Sequence, residues 1–404
     1  MTGESAVVAV FALVYLGMAL GRWPGLALDR TGVALVGAIF LVGLGLMPTE
    51  RVAHHIELPT LVILFALMVL SAQVAASGAF DRLAASIATA QVGPFLLLAL
   101  VVMASGVLSA LLTNDVVVWA MTPLLVRGLV ARGLPPEPYV IALAMAANAG
   151  SAATVVGNPQ NLLIAQAGGL DFWTFLATAG VPAGLALGVV FLTVAAVWGR
   201  RLRQAAPGDT DLEVPPIDRA HLTKAALAAG GVVLVFTLPV ERALWALAIA
   251  GALLISRRLA TRTMLGLVDW HLLLLFASLF VVTGTLAETA LVTDALARAT
   301  ARGFDATAST TLLPLALAGS NVIGNVPLVT LLLALDLGFT EASLLRLAVY
   351  STLAGNLLIV GSLANIIAVE RAAGLGVRIG FLTFAAVGVP ATLATLALAA
   401  WWLG

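Results

Sequence analysis

The polar residues able to do chemistry fall in four short clusters, each set inside a long apolar run. They are Thr113-Asn114-Asp115, Gly157-Asn158-Pro159-Gln160-Asn161, Gly324-Asn325-Val326-Pro327 and Gly361-Ser362-Leu363-Ala364-Asn365. Asparagine suits an interrupted membrane helix because its amide donates and accepts hydrogen bonds at once without carrying charge. A break frees backbone amides and carbonyls that lipid cannot satisfy, so such backbone persists only inside protein or beside a wet cavity. There the unwound carbonyls coordinate cations, and half-helix N-termini offer amide donors and partial positive charge. Paired interruptions at corresponding positions of two halves point to the binding site of a secondary transporter.

Asp115 is the sharpest of these residues. It reads as the one acid near the middle of the membrane, at the tip of a hairpin, with no Arg or Lys at comparable depth. An intramembrane carboxylate costs at least about 2.5–3.5 kcal/mol and is functional by default. Protonated, it carries H⁺; ionised, it binds Na⁺. The plainer alternative is a permanently protonated acid that caps a helix. Asp81, Glu288, Asp294, Asp336 and Glu370 fall near span ends instead. No arginine is expected at the depth of the site, so an anion would be held by amides, hydroxyls and helix dipoles, with co-bound cations.

The substrate-binding candidates are Thr113, Asn114, Asn148, Ser151, Asn158, Asn161, Asn321, Asn325, Asn356 and Asn365, with Ser351 and Thr352 near them. The ion-coupling candidates are Asp115, Thr154, Gly157, Gln160, Ser320 and Ser362. Na⁺ is expected near Asn114, Gly157 and Asn161, and again near Asn325, Gly361 and Asn365. Asn, Ser and Gly also cap and pack membrane helices without further function. That explanation suits any single residue better than it suits the repeated pattern.

These clusters must be positioned by membrane helices. Of 404 residues, 61% are hydrophobic and 10% charged, and the mean hydropathy is +1.10, far from a soluble chain with about 25% charged residues. A β-barrel would alternate polarity over segments of about ten residues. Here the apolar runs are continuous, so the expected fold is an all-α polytopic membrane protein. There is no cysteine, which excludes disulfides and thiolate metal sites. The start of the chain lacks a basic n-region, so 4–20 reads as a first span. His54 and His55 read as interfacial residues rather than metal ligands.

A ruler of about 20 apolar residues divides the chain into N-terminal scaffold helices (1–57), a first repeat (58–199), a cytoplasmic linker (200–220), further scaffold helices (221–267) and a second repeat (268–404). Within these the pattern predicts spans near 4–20, 32–47, 58–77, 171–199, 221–238, 241–256, 268–287 and 378–402, with amphipathic pieces at 80–90 and 291–302. It predicts re-entrant hairpins at 94–130 and 307–338 and broken helices at 137–168 and 341–373. The repeats align by offset. Phe65 and Phe276 stand 211 apart, as do Asn114 and Asn325, while Gly157 and Gly361, like Asn161 and Asn365, stand 204 apart. Gly180-Val181-Pro182 recurs as Gly388-Val389-Pro390.

Basic residues set the orientation. With the linker inside, internal segments collect fifteen of the 20 Lys and Arg residues: Arg22, Arg30, Arg82, Arg127, Arg132, Arg200, Arg201, Arg203, Arg219, Lys224, Arg257, Arg258, Arg262, Arg371 and Arg378. Arg51, Arg242, Arg298, Arg302 and Arg346 remain outside. The repeats are then inverted and both termini lie outside.

The motifs resemble the ion transporter superfamily of citrate-transporter-like carriers, sodium–dicarboxylate symporters, arsenite efflux pumps and NhaD-type sodium–proton antiporters. The resemblance runs from about residue 34 to 404. It is carried by Leu112-Thr113-Asn114-Asp115, Gly157–Asn161, Ser320-Asn321-Val322-Ile323-Gly324-Asn325-Val326-Pro327 and Ser351–Glu370. It implies a scaffold, mobile regions holding the hairpins and broken helices, and elevator-type alternating access. Within the superfamily the marks are mixed. Thr113-Asn114-Asp115 is similar to the arsenite pumps and the antiporters, Gly157–Asn161 to the sodium loop of the dicarboxylate carriers, and Ser351–Glu370 to bacterial anion permeases.

The function expected from this reading is ion-coupled (H⁺ or Na⁺) secondary transport of a small anion, oxyanion or metalloid such as arsenite or antimonite across the cytoplasmic membrane. The alternatives are a Na⁺/H⁺ antiporter, a sodium-coupled dicarboxylate or citrate symporter and, behind these, a passive channel. An enzyme is not expected, for no histidine reaches mid-depth and no nucleophile or metal-ligand spacing occurs. No cofactor is expected beyond Na⁺ or H⁺ as coupling ion. The expected partners are the substrate, the bilayer and a second copy in a homodimer, with no nucleic acid.

Overall fold

The computed structural model describes residues 3–204, 208, 213–257 and 259–404. Most of the expected linker's centre (205–207 and 209–212), Arg258 of the internal basic set, and Met1 and Thr2 lie outside the described residues.

An apolar run can bury its backbone polar groups in lipid only by bonding them internally, so these runs coil into helices. Twenty α-helices form among the described residues, and no strand beyond an isolated bridge between Arg22 and Asp29. The first ten are α1 (Gly3–Leu20), α2 (Arg30–Gly43), α3 (Thr49–His55), α4 (Leu58–Ala76), α5 (Ala79–Thr89), α6 (Pro94–Leu111), α7 (Asn114–Ala131), α8 (Glu137–Ser151), α9 (Pro159–Gly168) and α10 (Phe172–Gln204). The second ten are α11 (Arg219–Thr237), α12 (Arg242–Leu254), α13 (Thr261–Leu265), α14 (Trp270–Ala287), α15 (Ala290–Ala301), α16 (Ser309–Val322), α17 (Asn325–Ala334), α18 (Glu341–Ala354), α19 (Leu363–Ala373) and α20 (Phe381–Leu403).

The starting positions of the two sets correspond. Those of α3 and α4 recur 212 residues on (49 to 261, 58 to 270), those of α5 and α7 recur 211 on (79 to 290, 114 to 325), and those of α8 and α9 recur 204 on (137 to 341, 159 to 363). The short α3 and α13 were not expected from the sequence, because neither approaches the length of a span.

Among the described residues eight helices are long and apolar enough to cross a membrane: α1, α4, α6, α7, α10, α11, α14 and α20. The chain is a multi-pass integral membrane protein. At 33 residues and 1.5 Å per residue, α10 runs about 50 Å and outlasts the ~30 Å hydrocarbon core, which carries Arg200, Arg201 and Arg203 at its end beyond lipid depth.

The centre of the molecule is α8, buried along its whole length from Pro138 to Ser151. It packs against α6, and α18 packs correspondingly against α16. A Cβ on Gly150 would strike the backbone of Gly106, so α6 and α8 meet where neither carries a side chain. The two sets also interlock, since α9 packs on α18 while α19 packs on α8. Farther out, α2 packs on α14 and α4 on α12.

Candidate substrate and coupling-ion site

Two gaps in the helices frame the site. Between α8 and α9 the chain leaves the helix and restarts at Pro159, whose fixed φ and missing N–H suit a first helical position. The preceding residue, Asn158, caps the new helix by accepting from the Asn161 amide at 2.8 Å. Between α18 and α19 a short 3₁₀ turn (Ile359–Gly361) intervenes before Ser362.

Each gap is held by the same asparagine. The Asn161 amide donates to the carbonyls of Ser151 (3.1 Å) and Thr154 (3.0 Å). The same relation recurs 204 residues on, where Asn365 donates to the carbonyls of Gly355 (2.9 Å) and Leu358 (3.3 Å).

Each gap is also braced by a hub on the other set. Asn148, in α8, donates to Asn356 Oδ1 (2.9 Å) and Asn365 Oδ1 (3.2 Å) and accepts from Ser362 (2.9 Å). Its counterpart 204 residues on is Thr352, in α18. The Thr352 hydroxyl accepts from Asn158 (3.3 Å) and Gln160 (3.2 Å) and donates to Asn161 Oδ1 (3.3 Å). All these residues are buried. Buried polar groups require partners, and here each set supplies the partners of the other.

The tips of two helix pairs reach this centre. At the first, between α6 and α7, the Asn114 backbone N–H donates to Gly157 O (3.1 Å), and its side chain donates to Asn148 Oδ1 (2.8 Å). At the second, between α16 and α17, Gly324 stands at φ +99°, a conformation that favours glycine. Asn114 Oδ1 accepts from the Asp115 N–H (3.0 Å), and Asn325 Oδ1 from the Val326 N–H (2.9 Å).

Both tips line one cavity of about 630 Å³, within the ~300–1,000 Å³ range of small-molecule sites. Asn114, Asp115, Gln160, Asn325, Gly361 and Ser362 are on its wall. A second cavity of about 220 Å³ adjoins it, lined by Thr113 and again by Asp115, Pro159, Asp269 and Leu272.

The other candidates do not line either cavity. Asn148, Ser151, Asn158, Asn161, Asn356 and Asn365 have their polar groups engaged in the crossed network. Thr154 donates to Ala110 O (2.6 Å), Ser320 to Ser351 O (3.2 Å), and Asn321 to the carbonyls of Leu317 and Ala354 (both 2.9 Å). Gly157 is buried where a Cβ would strike the Ser109 and Ser151 carbonyls.

The expectation that Asp115 stands without charged neighbours, and that the site lacks arginine, is corrected. Arg22, Asp29, Arg30, Asp269, His271 and Glu370 line the same cavity, and Asp269 joins Asp115 on the wall of the smaller one as well. In the sequence Glu370 reads as an acid near a span end and Arg22 and Arg30 as internal basic residues, and packing brings all three to this cavity. The cavity thus carries four carboxylates against two guanidiniums. One further cation stands nearby: Arg371 lies 3.9 Å over the ring of Trp119, on the smaller cavity's wall.

The profile of the citrate transporter family matches residues 11–344. The inner membrane protein YbiR of Escherichia coli (strain K12) is 32% identical over 83% of this chain and 86% of its own length. The silicon efflux transporter LSI3 of Oryza sativa subsp. japonica is 34% identical over 44% of this chain and 37% of its own. A transporter named arsB from Dictyostelium discoideum is 30% identical over 41% of this chain and 30% of its own. Among solved structures, the YdaH transporter of Alcanivorax borkumensis aligns with a TM-score of 0.55 at 17% identity, covering 100% of this chain and 98% of the other. That likeness concerns the fold.

Proposed function

Given that the chain belongs to the citrate transporter family and is a secondary transporter rather than an enzyme, we propose that it moves a small hydroxylated solute, a metalloid hydroxide such as arsenious acid, coupled to H⁺ or Na⁺. The observation that carries this is the composition of the cavity: amides from both tips stand beside an excess of carboxylate. Two unit charges about 5 Å apart interact by roughly 3 kcal/mol at an effective dielectric constant of about 20. A bare tricarboxylate meets that repulsion several times over. An uncharged hydroxide does not, and its hydroxyls both donate to carboxylates and accept from amides. The rice relative, named a silicon efflux transporter, supports the same class of substrate.

Asp115 is the coupling group in this reading, since its carboxylate takes no hydrogen bond or ion pair from the described residues. The two sets of ten helices are inverted repeats, with hairpins α6–α7 and α16–α17 and broken helices α8–α9 and α18–α19 as the moving parts of an elevator. The recurring helix starts and the repeated Asn161 and Asn365 bonds support this. The linker is cytoplasmic and both termini are outside, by the distribution of basic residues. The unpartnered Asp115 also favours a second reading, Na⁺/H⁺ antiport with no solute moved.

Everted vesicles holding a lumenal pH dye separate the two. Proton efflux is expected on adding arsenite or antimonite, with little response to citrate, succinate or sulfate. A response to Na⁺ alone transfers the protein to the antiporters, and a response to citrate alone defeats the hydroxide reading.

A further inference from the structure

We propose that Asp115, Asp269 and the Gln160 carbonyl form one monovalent-cation site, bridging the α6–α7 tip and the N-terminus of α14. Asp269 is the new member. This inference deepens the reading of a cation-coupled carrier and rests on it.

Three observations converge. Asp115 and Asp269 both line both cavities, one at the start of α7 and the other directly before α14. Neither carboxylate has a cationic partner among the described residues. One oxygen of Asp269 accepts from the Leu272 N–H at 2.9 Å, capping α14, which leaves the other free. Third and independently, Gln160 is only 1% exposed and lines the larger cavity. Its amide N–H₂ donates to Thr352, and its Oε1 accepts no hydrogen bond among the described residues. An unpartnered carbonyl oxygen on a buried side chain, lining the same cavity as the two carboxylates, completes a set of hard oxygen ligands suited to a proton or Na⁺.

The other charged groups around the pair do not replace the cation. Arg22, Asp29, Arg30, His271 and Glu370 line the cavity. Arg30 Nε donates to Met18 O (3.1 Å). Asp81 and Arg82 are on α5, which packs on α7, and Arg82 donates to Pro215 O (3.3 Å). Arg371, on α19, stacks on Trp119. None pairs with Asp115 or Asp269 among the described residues.

The two carboxylates belong to different packing groups. The helix bearing Asp115, α7, packs on α5, α8 and α19, whereas α14 packs on α1, α2 and α17. Two close carboxylates resist joint ionisation without a cation between them. A bound cation therefore holds this arrangement together, and its loss sets like charges against each other across the cavity. Asp269 is thus a cation ligand that ties occupancy of the site to this arrangement of helices.

The test uses purified full-length protein in detergent, with melting temperature read while NaCl replaces choline chloride at about pH 8, and separately on acidification to about pH 5 without Na⁺. Wild type is expected to gain stability in one arm; the first outcome identifies Na⁺, the second H⁺. Asp115→Asn and Asp269→Asn should each weaken that response by about tenfold or more in apparent affinity, while Asp269→Glu and Asp29→Asn keep it. At about pH 8 without Na⁺, Asp269→Asn should melt at or above wild type because it relieves repulsion; a purely structural Asp269 would melt lower. An unchanged cation response in Asp269→Asn, or none in wild type, overturns the site. Vesicle transport tests the parent reading separately: solute-driven proton flux with normal cation dependence in Asp269→Asn sinks the site alone, and a cation response with no solute flux sinks the carrier alone.

Discussion

The two tips share an asparagine and then diverge. Both Asn114 and Asn325 fold Oδ1 back onto the next N–H. The Asn114 amide then donates to Asn148, so it is tied into the crossed network. The Asn325 amide donates to no described residue and lines the cavity. The following residue is a carboxylate at the first tip and an isopropyl group, Val326, at the second. One tip therefore presents a carboxylate to the cavity and the other an amide donor without a partner among the described residues, which under the proposed reading divides cation from solute between them. Their helices differ as well: α6 and α7 have 18 residues each, against 14 and 10 for α16 and α17.

The largest effect should come from removing the acid. Asp115→Asn is expected to reduce solute-driven proton flux in everted vesicles to the level of vesicles without the protein, and wild-type flux in this variant would break the division of labour between the tips. Next comes the hub. Asn148→Ala strands Asn114, Asn356, Asn365 and Ser362; with about 1–3 kcal/mol for each unsatisfied buried group, a total loss of about 3 kcal/mol or more should appear as a lower melting temperature in detergent.

Asn325→Ala should instead leave the melting temperature near wild type and raise the KM for solute about tenfold, equivalent to about 1.4 kcal/mol. If Asn325→Ala destabilises the protein as Asn148→Ala does, the second tip is structural and the contrast fails. Gly324→Ala tests the backbone of the second tip, where φ +99° and ψ 152° lie in a region almost confined to glycine and a Cβ costs about 1–3 kcal/mol; a melting temperature equal to wild type would show that the second tip relaxes.

Much of the framework can be read along the chain because its causes are local. Hydropathy over about 20 residues makes a span, Pro159 and Asn158 start α9, and Gly324 turns the second tip. The asparagines at offsets of 211 and 204 are visible for the same reason. The short α3 and α13 escape a reading built on span length, and no local signal distinguishes Asn325, which lines the cavity, from Asn321, which bonds two carbonyls in its own surroundings.

What no local pattern carries is which distant groups meet. Asp115 and Asp269 are separated by 154 positions, and in the sequence Asp269 is simply an acid before a helix, a common N-cap. Arg22 and Arg30 read only as internal basic residues that orient the chain. Asn148 and Thr352 give no hint that each braces the other set's gap. Hydropathy, caps and breaks act within a turn or two, so the residue order sufficed for helices, interruptions and the repeated amides. The charge balance of the cavity and the crossed hubs arise from packing between elements far apart in the chain, where Coulomb and hydrogen-bond energies depend on distances that spacing does not encode.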